Sequence, residues 1–137
     1  MTHPTRDLAT LVKNMRPILS RDTFVFVTLM DSSLLENVTP RCLFHEEEGL
    51  SAIITRTDAE ALSLENLTAY RMITLSVNSD LLAVGFLATI TSLLANEDIP
   101  CNAVSAFHHD YLFVPEHAAI QSIRLLEQLM KSGLAIG

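Results

Sequence analysis

The chain has 137 residues, enough for one compact domain or two small joined halves that bury roughly two-thirds of their unfolded surface. Hydrophobic residues make up 49% and charged residues 18%, a globular balance that excludes a disordered chain. Nine basic against sixteen acidic residues give a formal net charge of −7; with Lys and Arg scattered singly, no footprint exists for nucleic acid or an anionic membrane.

From the start of the chain, Leu8, Leu11, Val12 and Met15 recur at helical spacing, which predicts a helix with one buried face, capped by Thr5 and stopped by Pro17. Thr23 to Leu29 is β-branched and aromatic and reads as a strand. Cys42–Phe44 and Ser51–Thr55 predict two more strands, joined by a turn through Glu46-Glu47-Glu48-Gly49 in which Gly49 is free to take positive φ. The three glutamates read as a solvated surface feature. Thr57 and Glu60 have the spacing of a capping box, so a short helix is predicted from there to just before Asn66.

Further on, Arg71, Ile73, Leu75 and Val77 alternate with Met72, Thr74 and Ser76, which predicts a strand with one apolar face. Asn78-Ser79-Asp80 then offers three capping residues ahead of a predicted helix over 81–95. Leu82, Phe86, Ile90 and Leu93 form one apolar side of it, and Leu81, Val84 and Ala88 another. Such a helix must be covered on two sides, by the N-terminal half and by a second copy of the chain. Strands follow at Cys101–Phe107 and Tyr111–Val114, joined tightly through His108-His109-Asp110. Pro115 opens a last helix, with Ala119, Ile123, Leu126 and Met130 as its core stripe, and Gly133 closes it. A final strand is predicted over 134–136. The order β-α-β-β-α-β predicts an α+β, ferredoxin-like fold for residues 70–137, and residues 1–69 show fewer of the same pieces.

Cys42 and Cys101 have no metal-like spacing and read as buried free thiols of a reducing compartment. The first residues lack the basic and apolar regions of a signal peptide. The longest apolar run, residues 81–88, falls far short of the roughly 20 residues that a membrane helix needs. The expected location is the cytoplasm.

The runs Ser79-Asp80-Leu81-Leu82-Ala83-Val84-Gly85, Asp98-Ile99-Pro100-Cys101-Asn102-Ala103-Val104 and His109-Asp110-Tyr111-Leu112-Phe113-Val114-Pro115 resemble bacterial ACT-domain-containing proteins, whose second half is the ACT type also found in the CASTOR arginine sensors. Glu47-Glu48-Gly49-Leu50-Ser51 is similar to the N-terminal ACT-like segment of the same two-part proteins. The resemblance implies tandem ACT-like halves, a regulatory or sensing role, and an amino acid or similar effector bound at an interface of paired domains. The chain departs from the group at Asn78, where a His is common, and at Phe107-His108, in place of a pair that is often aromatic.

A helix N-terminus after Asn78-Ser79-Asp80 would present free N–H groups to a carboxylate, and Gly85 would let a ligand come close. The expected ligand-binding residues are therefore Asn78, Ser79, Asp80, Leu81, Val84 and Gly85. Asn102 joins them only across a dimer or pseudo-dimer interface, because the topology puts it at the opposite end of the sheet. The plainer roles are helix capping for Ser79 or Asp80 and turn closure for Asn102. His108-His109-Asp110 reads as a polar hairpin, since neighbouring strand residues point to opposite faces and no third ligand has metal spacing. No phosphate loop, nucleophile elbow or isolated carboxylate pair occurs. The expectation is a non-enzymatic homodimer without cofactor or metal. Its rivals are a protein–protein adaptor and a small enzyme built on His108, His109 and Asp110.

Overall fold

The structure, a computed structural model, describes residues 3–133. It is a mixed α+β chain that divides into two compact units, residues 21–70 and residues 1–20 together with 71–137.

Within residues 21–70, strand β3 (Gly49–Thr55) is central and pairs antiparallel with β2 (Cys42–Glu46) and with β1 (Pro17–Leu29). Val25 faces Ile54 and Val27 faces Ala52. Because side chains alternate along a strand, Val25, Val27, Leu29, Ala52 and Ile54 share one face, and they form a buried cluster with Ala59 of helix α2 (Arg56–Ala61). Between β1 and β2 the chain makes only a 3-10 turn, Ser32–Leu35. Gly49 has φ 149°, and a Cβ there would meet Thr28 Cγ2 at 3.0 Å, so the hairpin needs glycine. The cap of α2 is Thr55 and not Thr57: its hydroxyl accepts the Asp58 N–H at 3.1 Å. The strand runs straight into the helix, which moves the cap two residues back.

The other unit takes its first pieces from the start of the chain. Helix α1 (Leu8–Asn14) is capped by Asp7, whose carboxylate accepts the Thr10 N–H at 3.0 Å. The Thr5 hydroxyl accepts the Asp7 N–H one step earlier. After Arg16, at φ 33°, β1 begins at Pro17, six residues ahead of the predicted strand. Its opening residues lie along β4 (Tyr70–Leu75). The Ser76 N–H donates to Met15 O at 2.6 Å, the Met72 N–H to Ser20 Oγ at 3.2 Å, and Arg71 Nε to Ser20 O at 3.0 Å. Next to β4 come β6 (Asp110–Pro115) and then β5 (Asn102–Ser105), the last two antiparallel. The strand flanking β4 on its far side is thus the N-terminal one; the predicted strand at 134–136 lies outside the described residues.

Helices α3 (Phe86–Ala95) and α4 (Ala119–Ser132) complete this unit. One core unites Leu11 and Val12 of α1 and its C-cap Met15 with Ile73 and Leu75 of β4, Phe86, Ile90 and Leu94 of α3, Leu112 and Val114 of β6, and Leu126 of α4. Helix α1 packs on both α3 and α4, but Leu81, Val84 and Ala88, the expected second apolar side of α3, stay exposed. On α4 the buried stripe is Ala119, Ser122, Leu126 and Leu129, so Ile123 and Met130 sit at its margin. Gly133, at φ 72°, ends the helix as expected. Cys42 and Cys101 are both free and half-buried, and burial pushes the Cys101 thiol up to about 11. No helix among the described residues is long and apolar enough to cross a membrane.

Replacing Leu11, which is fully buried in α1, with Ala is expected to cost about 2–5 kcal/mol. Ile120→Ala, on the exposed side of α4, should stay within about 0.5 kcal/mol. Urea unfolding of the two variants measures both, and equal midpoints would remove α1 from this core.

Candidate functional site

The segment between β4 and α3 is a structured loop rather than the start of a helix. Residues 81–85 are not helical, and α3 begins at Phe86, five residues later than expected. Two local interactions account for the delay. The Asp80 carboxylate accepts the Leu82 N–H at 2.8 Å and the Asp80 carbonyl accepts the Ala83 N–H at 2.9 Å, closing a turn in which the Asp side chain competes with helix. Gly85 then takes φ 93° and ψ −9° as the N-cap, a left-handed conformation that reorients the chain. It has no side chain with which to cap, and among the described residues no side chain caps the first N–H groups of α3, on Phe86, Leu87 and Ala88.

The loop is held from two directions. Ser79 N–H donates to His108 O at 3.3 Å, tying it to the turn between β5 and β6. From the other side, Thr5 N–H donates to Asn78 O at 3.1 Å and Asp80 N–H to Thr5 O at 3.0 Å, a one-residue parallel bridge between Thr5 and Ser79. Arg6 Nε lies 3.3 Å from Asp80 Oδ2. Asp80 is held below the usual carboxylate range first by the Leu82 N–H, against a smaller opposing effect of desolvation, with Arg6 adding to the lowering.

A cavity of about 130 Å³ opens between this loop, the tip of α3 and the ends of β5 and β6. Ser79, Asp80, Leu81, Gly85 and residues 86–88 line one side of it, and Ser105, Ala106 and Asp110 the other. Asp110 is only 6% exposed, and the Ser105 hydroxyl donates to its Oδ1 at 2.7 Å. A carboxylate withdrawn from water beside helix N–H groups gives the cavity a negative pole and a positive one.

Of the expected ligand residues, Ser79, Asp80, Leu81 and Gly85 come together around this cavity. Val84 points away, 83% exposed. Asn78 lines a neighbouring cavity of about 270 Å³ together with His3, Asp80, Phe107 and His108. Asn102 faces Phe113 at the far end of β5, whereas Ser105, at the near end, is paired with Asp110. Sequence reasoning placed Asp110 in a polar hairpin with His108 and His109, not among the ligand residues, and did not single out Ser105. The signal was available: Asp110, Leu112 and Val114 share one strand face, and two of the three are core residues. Asp110 therefore separates from His108 and His109, whose rings sit 6.3 Å apart and tilted. Among the described residues no group of three or more His, Cys, Asp and Glu side chains is placed to hold a metal.

Two family models match the chain, each described as an ACT domain, one over residues 4–71 and the other over residues 67–128. Among curated proteins, none matches. A solved protein of unknown function from Vibrio cholerae, described as a possible transport protein, is 32% identical over 85% of this chain and 89% of its own, with a TM-score of 0.78. The aspartokinase alpha and beta subunits share the fold at 12% identity, with 84% of this chain and 97% of that one covered and a TM-score of 0.62. The ligand-free regulatory subunit of aspartate kinase from Thermus thermophilus does so at 9% identity, 82% and 94% coverage and a TM-score of 0.58.

Gly85→Ala is expected to cost about 1–2 kcal/mol for the left-handed backbone alone, since a Cβ there would meet only Leu8 Cδ2 at an ordinary 3.5 Å. Asparagine, which tolerates this conformation better, should cost less, and thermal unfolding of both variants checks the order. The depressed folded-state pKa of Asp80 sets the sign of its pH dependence. Its contribution to holding the loop is complete above the ordinary value of 3.8 and is lost as pH falls through the lower folded value. Carboxyl titration by NMR should place Asp80 below 3.8, with the Leu82 amide shift following the same curve.

Proposed function

The chain belongs to the ACT-domain family, and from that premise we propose that it is a non-catalytic regulatory module that holds a small amino acid in the cavity beside α3. ACT domains are typically regulatory modules that bind small effectors. The observation that carries the reading is the pairing of a buried carboxylate, Asp110, with the uncapped tip of α3 across one cavity of about 130 Å³. That volume is worth about four waters of liquid, the scale of a small zwitterion such as alanine or serine.

In this reading the ligand's carboxylate sits on the N–H groups of Phe86, Leu87 and Ala88, where the helix dipole favours negative charge. Its ammonium pairs with Asp110, which otherwise would be a buried charge balanced by Ser105 alone among the side chains of the cavity wall. Ser79 and Ser105 supply hydroxyls that both donate and accept. Asp80 is the weaker anchor for an amine, because Leu82 N–H and Arg6 engage its two oxygens. Asn78 and Val84 are then neighbours of the site rather than part of it, and Asn102 serves its strand. Occupancy would couple to the placement of the loop, which is how such a module signals.

A homodimer in the cytoplasm completes the reading. Leu81, Leu82, Val84 and Phe107 leave apolar surface exposed beside the cavity, as an interface between copies would require. The same surface supports a second reading, an adaptor that keeps the fold, binds a protein and leaves the cavity empty. The half-buried free thiols suit a reducing compartment.

A thermal-shift screen of the twenty amino acids distinguishes the two. A ligand at a hundred times its dissociation constant should stabilise the fold by about 2.7 kcal/mol, a rise of several degrees in Tm, and Asp110→Asn should abolish the rise. If no amino acid moves the Tm, the adaptor reading takes its place.

A further inference from the structure

Resting on the reading of the cavity as an amino-acid site, we propose that Arg6 is a positioning residue for it, acting through Asp80 to hold loop 78–83 in the shape that lines the cavity. Arg6 is not itself part of the cavity wall. Asp80 is, and it organises the loop with three separate groups: Oδ1 accepts the Leu82 N–H, the carbonyl accepts the Ala83 N–H, and the main-chain N–H donates to Thr5 O. The remaining carboxylate oxygen, Oδ2, is the one that faces Arg6 at 3.3 Å. A carboxylate gripped at one oxygen presents the other in a set direction, so Arg6 orients the acceptor that closes the Leu82 turn.

The placement of Arg6 follows from its neighbours in the chain. Thr5 bridges Ser79 through its N–H and C=O, which sets Arg6 one residue beyond the bridge and within reach of Asp80. Three residues later, Leu8 lies against Gly85 at the other end of the loop, with its Cδ2 3.5 Å from where a Cβ would stand. One short stretch, residues 5–8, thus backs the loop at both ends. The ion pair is partly solvated, with side chains 62% and 24% exposed. Its effect is therefore modest, about twofold to fivefold, and falls with added salt.

The test compares Arg6→Ala, Arg6→Lys, Asp80→Asn and the double variant R6A/D80N in the full chain. Two readouts are used: amide hydrogen exchange at Leu82 and Ala83, and calorimetric affinity for L-alanine and L-serine. Arg6→Ala should speed exchange at both amides by about twofold to fivefold and weaken amino-acid binding by the same factor. Arg6→Lys should restore most of both at low salt. In the Asp80→Asn background the Arg6 substitution should change nothing further, since residues that act through one contact are not additive. Unchanged exchange in Arg6→Ala, or an equal effect in the Asp80→Asn background, overturns the proposal. If neither amino acid binds the unaltered protein, the reading of the cavity fails, and the exchange measurement still decides whether Arg6 holds the loop.

Discussion

Helix α1 and its C-cap residue bury Leu11, Val12 and Met15 completely, in a core whose other buried members come from residues beyond 70. A side chain of that kind removed from water is worth about 1.5–3 kcal/mol, so three of them tie the start of the chain firmly to α3, α4 and β4. The placement of every other part of this unit follows. With α1 docked, the next residues enter β1 alongside β4, and the residues before it are carried to the loop that ends at α3. The same burial covers one side of α3, through Phe86, Ile90 and Leu94, while Leu81, Val84 and Ala88 stay exposed.

That docking also explains why the loop at 78–85 is specific in shape though almost devoid of regular structure. It has few apolar anchors of its own, and Leu81, Leu82 and Val84 face outward. Its shape comes from backbone hydrogen bonds to Thr5 and His108, from the Asp80 turn and from the left-handed Gly85. These are polar constraints set between rigid elements, an arrangement that leaves donors at the tip of α3 without a side-chain cap among the described residues while the backbone around them is held. On the opposite wall, Asp110 occupies a position where strand alternation would otherwise place a core side chain. A carboxylate kept on an inward face costs stability, and such expense concentrates at functional sites.

Much of this architecture was legible in the residues. The apolar spacing of α1, the β-branched run of β1, the Gly49 hairpin and the Gly133 helix exit all appear where local chemistry puts them. Errors cluster at element ends. Thr57 and Thr5 were plausible caps, but Thr55 and Asp7 hold the helices because the preceding segments end closer to them than spacing alone indicates. Residues 81–85 carry a helical apolar pattern, yet the Asp80 side chain and Gly85 divert the backbone, a competition that periodicity does not register.

By itself, then, the amino-acid order determined the element types, the α+β class and the kinship of both halves to ACT domains, because these depend on periodicity, turn chemistry and short motifs within a few residues of one another. It also contained the inward phase of Asp110, readable from Leu112 and Val114. Only the tertiary structure decided that residues 1–20 complete the unit formed by residues 71–137, that α3 starts at Phe86, and that Asp110 and the helix tip face one cavity while Asn102 lies elsewhere. Each of those outcomes is set by burial and hydrogen bonding between segments distant in the chain, where local propensity carries no information about the partner.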